Sequence, residues 1–134
     1  MKVKCPYCGS DAKLVDGEVI YGEGRGHGPV WDCRPCDAYV GTHKVENKLH
    51  QPLGRLANRE LRAWKQMAHN AFDPIWKDGY MNRTSAYKFL KTIMKLPEEH
   101  AHIGMFDVDQ CKTLIERLDT WKPKRNKKRK IGGN

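Results

Sequence analysis

Apolar residues follow two different periods along the chain. Through residue 45 they come in short β-prone runs: Val19-Ile20-Tyr21, Pro29-Val30-Trp31 and Ala38-Tyr39-Val40. Between the first two runs, Gly22, Gly24, Gly26 and Gly28 alternate with other residues, which marks a hairpin tip. Residues 46–53 are mostly polar, carry Pro52 and read as a linker.

From residue 54 onward the spacing turns helical. Leu61, Trp64, Ala68, Ala71, Phe72 and Ile75 recur at threes and fours, with Asn58 ahead of Glu60 as the cap. Asp73-Pro74 predicts a kink or a division, because proline has no amide to donate. A second helix is expected after the Thr84/Ser85 start, burying Ala86, Phe89, Leu90 and Ile93, with Pro97 at or beyond its end. A third begins after Asp107, where Asp107 and Gln110 form a capping-box-like pair. Its apolar face is Val108, Cys111, Leu114, Ile115, Leu118 and Trp121. After Pro123 no apolar face continues, so residues 122–134 read as a disordered basic tail. The patterns predict an α+β chain. A ribbon of short antiparallel strands over 1–45 leads through the linker 46–53 to a three-helix unit over 54–121, packed with the ribbon.

Length changes this picture little: 134 residues suit one domain or two very small ones. No run approaches the roughly 18 consecutive apolar residues of a membrane span. The opening Met-Lys-Val-Lys-Cys-Pro has no apolar stretch behind its lysines, so it is not read as a secretory signal. The expected setting is a reducing cytoplasm without membrane association, where five cysteines point to metal and core rather than disulfides.

The net charge of +9 is concentrated at one end. Lys122, Lys124, Arg125, Lys127, Lys128, Arg129 and Lys130 form a run without an acid. Setting those seven aside leaves 18 basic residues against 16 acidic ones. The body of the chain is nearly neutral.

Four cysteines carry the clearest chemistry. Cys5-Pro-Tyr-Cys8-Gly9 and Cys33-Arg-Pro-Cys36 each hold two thiols at the spacing of a tight turn. Such a turn aims both sulfurs at one ion, and two turns joined by a 24-residue hairpin supply a tetrahedral set. Soft thiolates favour Zn²⁺, and mononuclear iron of the rubredoxin type uses the same ligands. Four protein sulfurs leave no open position, so the expected role is structural. Binding would contribute on the order of 10 kcal/mol to a segment poor in apolar residues. Cys111 sits on an apolar helix face and reads as core.

The chain resembles a functionally unassigned family of small bacterial and bacteriophage zinc-finger-containing proteins. The matching stretches are CPYCG at 5–9, WDCRPCDAYVGTH at 31–43, PLGRLAN at 52–58, AHNAFDPIW at 68–76, Arg83 with Ala86-Tyr87, and HIGMFD at 102–107. The resemblance runs over residues 1–118 and leaves the tail outside. It implies a zinc-bearing N-terminal part, a helical C-terminal part, a phage or prophage setting in a host cytoplasm, and no particular activity.

No catalytic constellation is complete. His43, Asn47 and His50 faintly suggest an HNH-like nuclease, but both cysteine pairs precede the histidines and no closing asparagine–histidine pair follows. Zinc deaminases need His-x-Glu before Pro-Cys-x-x-Cys, and the chain has no His-x-Glu. The glycines at 22–28 lack the Lys-Ser/Thr of a phosphate loop. His100 and His102 offer a second metal pair, though a surface His100 beside a hydrogen-bonding His102 is the plainer account. His69 reads as an imidazole bonded to a neighbouring carboxylate, with Asp73 alternatively capping the Pro74 turn.

Nucleic acid is the partner that charge favours. The tail's seven cations would give a salt slope of about −6 if each met a phosphate. Arg55, Arg59, Arg62, Gln66 and His69 recur on one side of the first helix, and Lys88, Lys91 and Lys95 on the second. Tyr7 and Arg34 at the ribbon knuckles could add contacts. Against this, a lysine stripe opposite an apolar one is often only a solvated face. The leading expectation is a non-enzymatic accessory protein held near DNA or RNA. Its rival is a phage adaptor or inhibitor docking on a host protein such as transcription machinery or a defence enzyme, through exposed Tyr7, Tyr21 and Trp31.

Overall fold

The computed structural model describes residues 1–26 and 28–132, excepting the side chains of residues 122–132. It divides into two compact units, Met1–Arg62 and Ala63–Asn134.

The first unit is built on a three-stranded antiparallel sheet in the order β1-β2-β3. The strands are β1 (Lys13–Asp16), β2 (Pro29–Cys33) and β3 (Ala38–Gly41). Trp31 on the central strand faces Leu14 on one side and Val40 on the other. The core beneath is small: Cys5, Ala12, Trp31, Cys33, Ala38 and Leu56, with Val3, Cys36 and Val40 against it. Few side chains this size can hold a sheet without help.

Val19-Ile20-Tyr21, expected as a strand, winds instead into a single turn, α1 (Glu18–Tyr21). The cause is local. Asp16 Oδ1 accepts the Glu18 amide at 2.9 Å, and Gly17 O accepts the amides of Ile20 and Tyr21. Gly26 returns so close that a Cβ there would meet Glu18 Cγ at 2.8 Å and the Glu18 nitrogen at 2.9 Å. The intervening tip is a turn closed from Arg25 N to Gly22 O, with Glu23 and Gly24 exposed.

Residues 46–53, expected as a linker, fold back on β3. His43 N bonds Gln51 O at 3.0 Å, Leu53 N bonds Gly41 O at 2.9 Å, and Tyr39 and Ala57 exchange both of their backbone bonds. A 3-10 turn at Glu46–Lys48 makes the reversal. The outer edge of β3 would otherwise leave backbone groups unpaired, and this segment supplies partners for them.

Helices make up the rest: α2 (Arg59–Phe72), α3 (Pro74–Lys77), α4 (Arg83–Met94) and α5 (Val108–Gly132). The boundary between the units falls inside α2. Asn58 Oδ1 caps α2 through the Leu61 amide at 3.0 Å. Pro74 divides the first predicted helix at Asp73. Asp73 does not cap the new turn with its side chain; its carboxylate meets His69 Nδ1 at 3.3 Å. Asn82, not Thr84 or Ser85, caps α4, accepting the Ser85 amide at 2.8 Å. At α5 the capping box forms as its sequence predicts: Asp107 N donates to Gln110 Oε1 at 2.9 Å, and Gln110 N to Asp107 Oδ1 at 2.8 Å.

The core of this unit holds Phe72, Ile75, Leu90, Ile103, Phe106, Cys111 and Leu114. Met94 is buried where Phe89 and Ile93 are only partly so. Trp121 completes α5's packing, with its ring 5.4 Å from Phe89 and 6.4 Å from Tyr80. The α5 backbone continues past Trp121 to Gly132, within the stretch expected as a disordered tail. A sheet in one unit and helices in the other make the chain α+β. None of the described helices is long and apolar enough to cross a membrane.

Candidate metal centre

Each cysteine pair sits on a turn that the local sequence forces. In the first, the Cys5 amide bonds Ser10 O at 2.8 Å and the Gly9 amide bonds Cys5 O at 2.9 Å. Gly9 has φ +77, a conformation costly for any residue with a Cβ. Lys4 and Asp11 close the base of this hairpin with an ion pair of 2.7 Å. In the second, Cys33 ends β2 and a 3-10 turn, Arg34–Cys36, follows directly. Asp37 stops it at φ 50, its amide returning to Arg34 O at 3.0 Å.

The two turns meet. The sulfurs of Cys5, Cys8, Cys33 and Cys36 all lie within 4.8 Å of one another, and Cys8 Sγ is 3.7 Å from Cys33 Sγ. A tetrahedron with Zn–S bonds of roughly 2.3 Å has edges of about 3.8 Å, so the cluster has the size that zinc requires. Cys5 and Cys33 are buried, Cys36 is half-buried and Cys8 is exposed. All four donors are thiols, which suits one structural zinc ion and leaves it no open coordination position.

The thiols oppose one another's ionisation. Cys8 is drawn down to about 6, chiefly by the Ser10 backbone amide, then by the Ser10 hydroxyl and the thiols of Cys33 and Cys36. Cys36 is pushed up to about 12 by its hydrogen bond to Cys8, by burial and by the other two cysteines. Cys33 is also raised: the Cys36 amide pulls it down, but burial and the thiols of Cys8 and Cys5 outweigh that pull. The Cys8 thiolate forms easily, while Cys33 and Cys36 resist. A bound dication supplies the missing positive charge and reverses that resistance.

Asp32 is the residue that sequence reading missed. It is buried beside Cys33, and Arg34 grips it with Nε to Oδ2 at 2.8 Å and Nη2 to Oδ1 at 2.7 Å. The signal was an acid two positions before an arginine at the knuckle. Arg34 is therefore committed to the ribbon's own structure.

Arg62 is committed as well. Its guanidinium donates to Asp37 O at 2.7 Å and Ala57 O at 2.8 Å, meets Asp37 Oδ2 at 3.1 Å, and lies 4.3 Å from the centre of the Tyr39 ring. Arg59 is exposed, while Arg55 is half-buried with its Nε covered. Arg55 also precedes α2, so Arg55, Arg59 and Arg62 do not make one helical stripe. Lys88 and Lys91 are exposed on α4. The side chains of Lys124, Arg125, Lys127, Lys128, Arg129 and Lys130 lie outside the described residues.

Trp31, expected at the surface, is buried with its indole N–H donating to His50 O at 2.7 Å. Tyr7 and Tyr21 are exposed, and the Tyr7 hydroxyl accepts the Asn58 amide at 3.1 Å. Cys111 is buried in the helical unit, where burial pushes its thiol up to about 11. His43 and His50 belong to the first unit and His100 to the second. Among the described residues, no second group of three metal-binding side chains converges, and His100 and His102 have no third ligand beside them.

Residues 1–120 match the profile of the zinc-finger-containing domain family. No curated protein and no solved structure matches the chain.

Proposed function

The chain belongs to the zinc-finger-containing domain family, and we propose that within it this protein is a non-enzymatic accessory factor that contacts nucleic acid. The closed four-sulfur site gives the ribbon its shape and leaves chemistry to others. The observation that carries the reading is the charge distribution: seven cations between Lys122 and Lys130 on a body of nearly balanced charge. Such segregation favours a polyanionic partner, because each phosphate neutralised releases bound counterions. Exposed Lys88, Lys91 and Arg59 are further contacts in this reading, whereas Arg62 and Arg34 are spent internally. A phage or prophage origin and a host cytoplasm are part of the proposal, resting on the resemblance of the cysteine-bearing and helical stretches.

Deleting residues 122–134 tests it. Binding to mixed-sequence DNA and RNA at low salt should weaken sharply, and the salt slope should flatten by about 6. A truncated chain that binds both polymers unchanged would remove the tail from the reading.

A second reading draws on a different surface. Val45, Leu49 and Leu53 are 57%, 54% and 55% exposed on one returning loop, beyond what solubility favours. They suit an adaptor or inhibitor docking on a host protein such as transcription machinery or a defence enzyme. A stoichiometric protein recovered with the tagged chain from nuclease-treated lysate, and lost on Leu49→Asp, would favour this alternative.

A further inference from the structure

Helix α4 and the segment 98–104 border a cleft of ≈ 700 Å³ in the helical unit. That volume lies within the roughly 300–1,000 Å³ usual for small-molecule sites. The cleft is distinct in chemistry and place from the four cysteines.

Its lining is cationic and aromatic. Arg83, Lys88 and Lys91 border it from α4, against one carboxylate, Glu98. None of the three cations has an ion-pair partner among the described residues. Arg83 is held by rings instead, its guanidinium 5.3 Å from the centre of Trp76 and 5.4 Å from that of Tyr87. Ring contacts of this kind hold the group by its face, so its in-plane N–H edges remain able to donate to an oxyanion. The first turn of α4, where Thr84 joins the lining, adds the positive end of a 12-residue helix.

Aromatic groups stand beside the cations. Tyr87 lines the cleft with its ring braced by Phe72 at 5.3 Å, and His102 lies 6.2 Å from it. The rim is fixed by Lys65, whose ammonium donates to Gly104 O at 2.7 Å. Cations without ion-pair partners beside the Tyr87 and His102 rings match a ligand that joins phosphate to a planar ring.

We propose that this cleft binds a nucleoside phosphate, its phosphate on Arg83, Lys88 and Lys91 and its base against Tyr87 and His102. The phosphate can come from a free nucleotide or from the end of a strand. The site shares Lys88 and Lys91 with the accessory-factor reading but does not use the basic tail, so deletion of residues 122–134 tests that reading and leaves this site in place.

The zinc-loaded full-length protein is titrated by calorimetry with AMP, GMP, CMP and UMP, with adenosine, with inorganic phosphate, and with a single-stranded hexanucleotide with and without a 5′ phosphate. At least one phosphorylated probe should bind about tenfold more tightly than both adenosine and inorganic phosphate, as expected when charge-assisted hydrogen bonds and stacking act together. Lys91→Gln should cost that probe about tenfold, and Arg83→Gln at least as much. Lys95→Asn, at the end of the same helix and outside the cleft lining, should cost nothing. Should Arg83→Gln fail to fold, the substitution at exposed Lys91 decides by itself. Preference for the mononucleotides identifies a free ligand, and preference for the 5′-phosphorylated strand identifies a strand end. Either supports the site. Binding no tighter than adenosine or phosphate, or unaffected by Lys91→Gln, overturns it.

Discussion

Asp32 and Arg34 are joined twice, through Nε–H to Oδ2 at 2.8 Å and Nη2–H to Oδ1 at 2.7 Å, at the position where β2 passes into the second cysteine turn. The carboxylate is 3% exposed and its partner 56%. The bridge is thus one-sided: the acid depends on the arginine far more than the reverse. Arg34→Ala leaves a buried negative charge unpaired beside Cys33. It should lower the stability of the zinc-loaded protein by about 1–3 kcal/mol in urea unfolding. Asp32→Asn should cost less, since the amide oxygen still accepts one N–H. Equal, negligible losses from both would mean the bridge contributes nothing.

Metal removal should separate the two units by signal. The core under the sheet is too small to hold it alone, so chelation should abolish the protected amides of β1–β3 in hydrogen exchange. The amides of α4 and the first half of α5 should stay protected, since their own apolar core is intact. Adding zinc back should restore the sheet, and Cys36→Ser should prevent that restoration. Unchanged protection in β2 after complete stripping would contradict the structural role.

In the interval after the ion is withdrawn and before the sheet opens, the thiols predict an order of reactivity. Cys8 is exposed and falls to about 6, so its alkylation should climb as pH passes that value. Cys111, buried and raised to about 11, should stay unmodified throughout. The stability signs follow. Cys8 ionises more readily folded than unfolded, so without the ion it favours the folded ribbon above its unfolded pKa, and that bias is lost as pH falls through about 6. Cys36 is held up to about 12, so its contribution is present below its unfolded pKa and lost as pH rises through that window. Peptide mapping by mass spectrometry after a short pulse at several pH values reads the order.

Arg59 and Arg62 are three residues apart and should behave oppositely. Arg62→Ala removes the hydrogen bonds to Asp37 and Ala57 and the stacking on Tyr39, and should cost about 1–3 kcal/mol of stability. Arg59→Ala, at an exposed first-turn position, should leave stability within about 0.5 kcal/mol. If nucleic acid uses this face, Arg59→Ala should reduce the salt slope by about 1. Thermal unfolding paired with a salt titration of binding separates the two roles.

How far the sequence foretold all this depends on the kind of signal. The cysteine spacing named the metal site outright, because two-residue gaps on tight turns leave few other arrangements. The Asp107/Gln110 box and the break at Pro74 were equally plain, since each rests on contacts within four residues. What escaped was long-range or polar. Leu56 and Ala57 follow no helical period because Ala57 pairs with Tyr39 of β3 and Leu56 enters the core under the sheet, and nothing local says so. Val19-Ile20-Tyr21 has strand propensity, but the Asp16 side chain and the returning Gly26 settle it as a helical turn. Ile103 opens a 3-10 turn and Phe106 follows it, where burial has no period to read. Arg62 looked like a surface cation because its partners, Asp37 and Ala57, are distant or unpatterned in sequence.

The turn at Gly22–Arg25 lies on the excursion between the two halves of the metal site, yet Glu23 and Gly24 face solvent. Lengthening such a loop is inexpensive, since each doubling adds only about 0.6 kcal/mol of closure entropy. An epitope or fluorophore-accepting peptide placed between Glu23 and Gly24 should therefore be carried on a protein that still grips zinc. Two residues further on, at Gly26, even an added Cβ would collide with Glu18. A handle for imaging or capture thus has a natural attachment point, and its limits are set by a single missing methyl group.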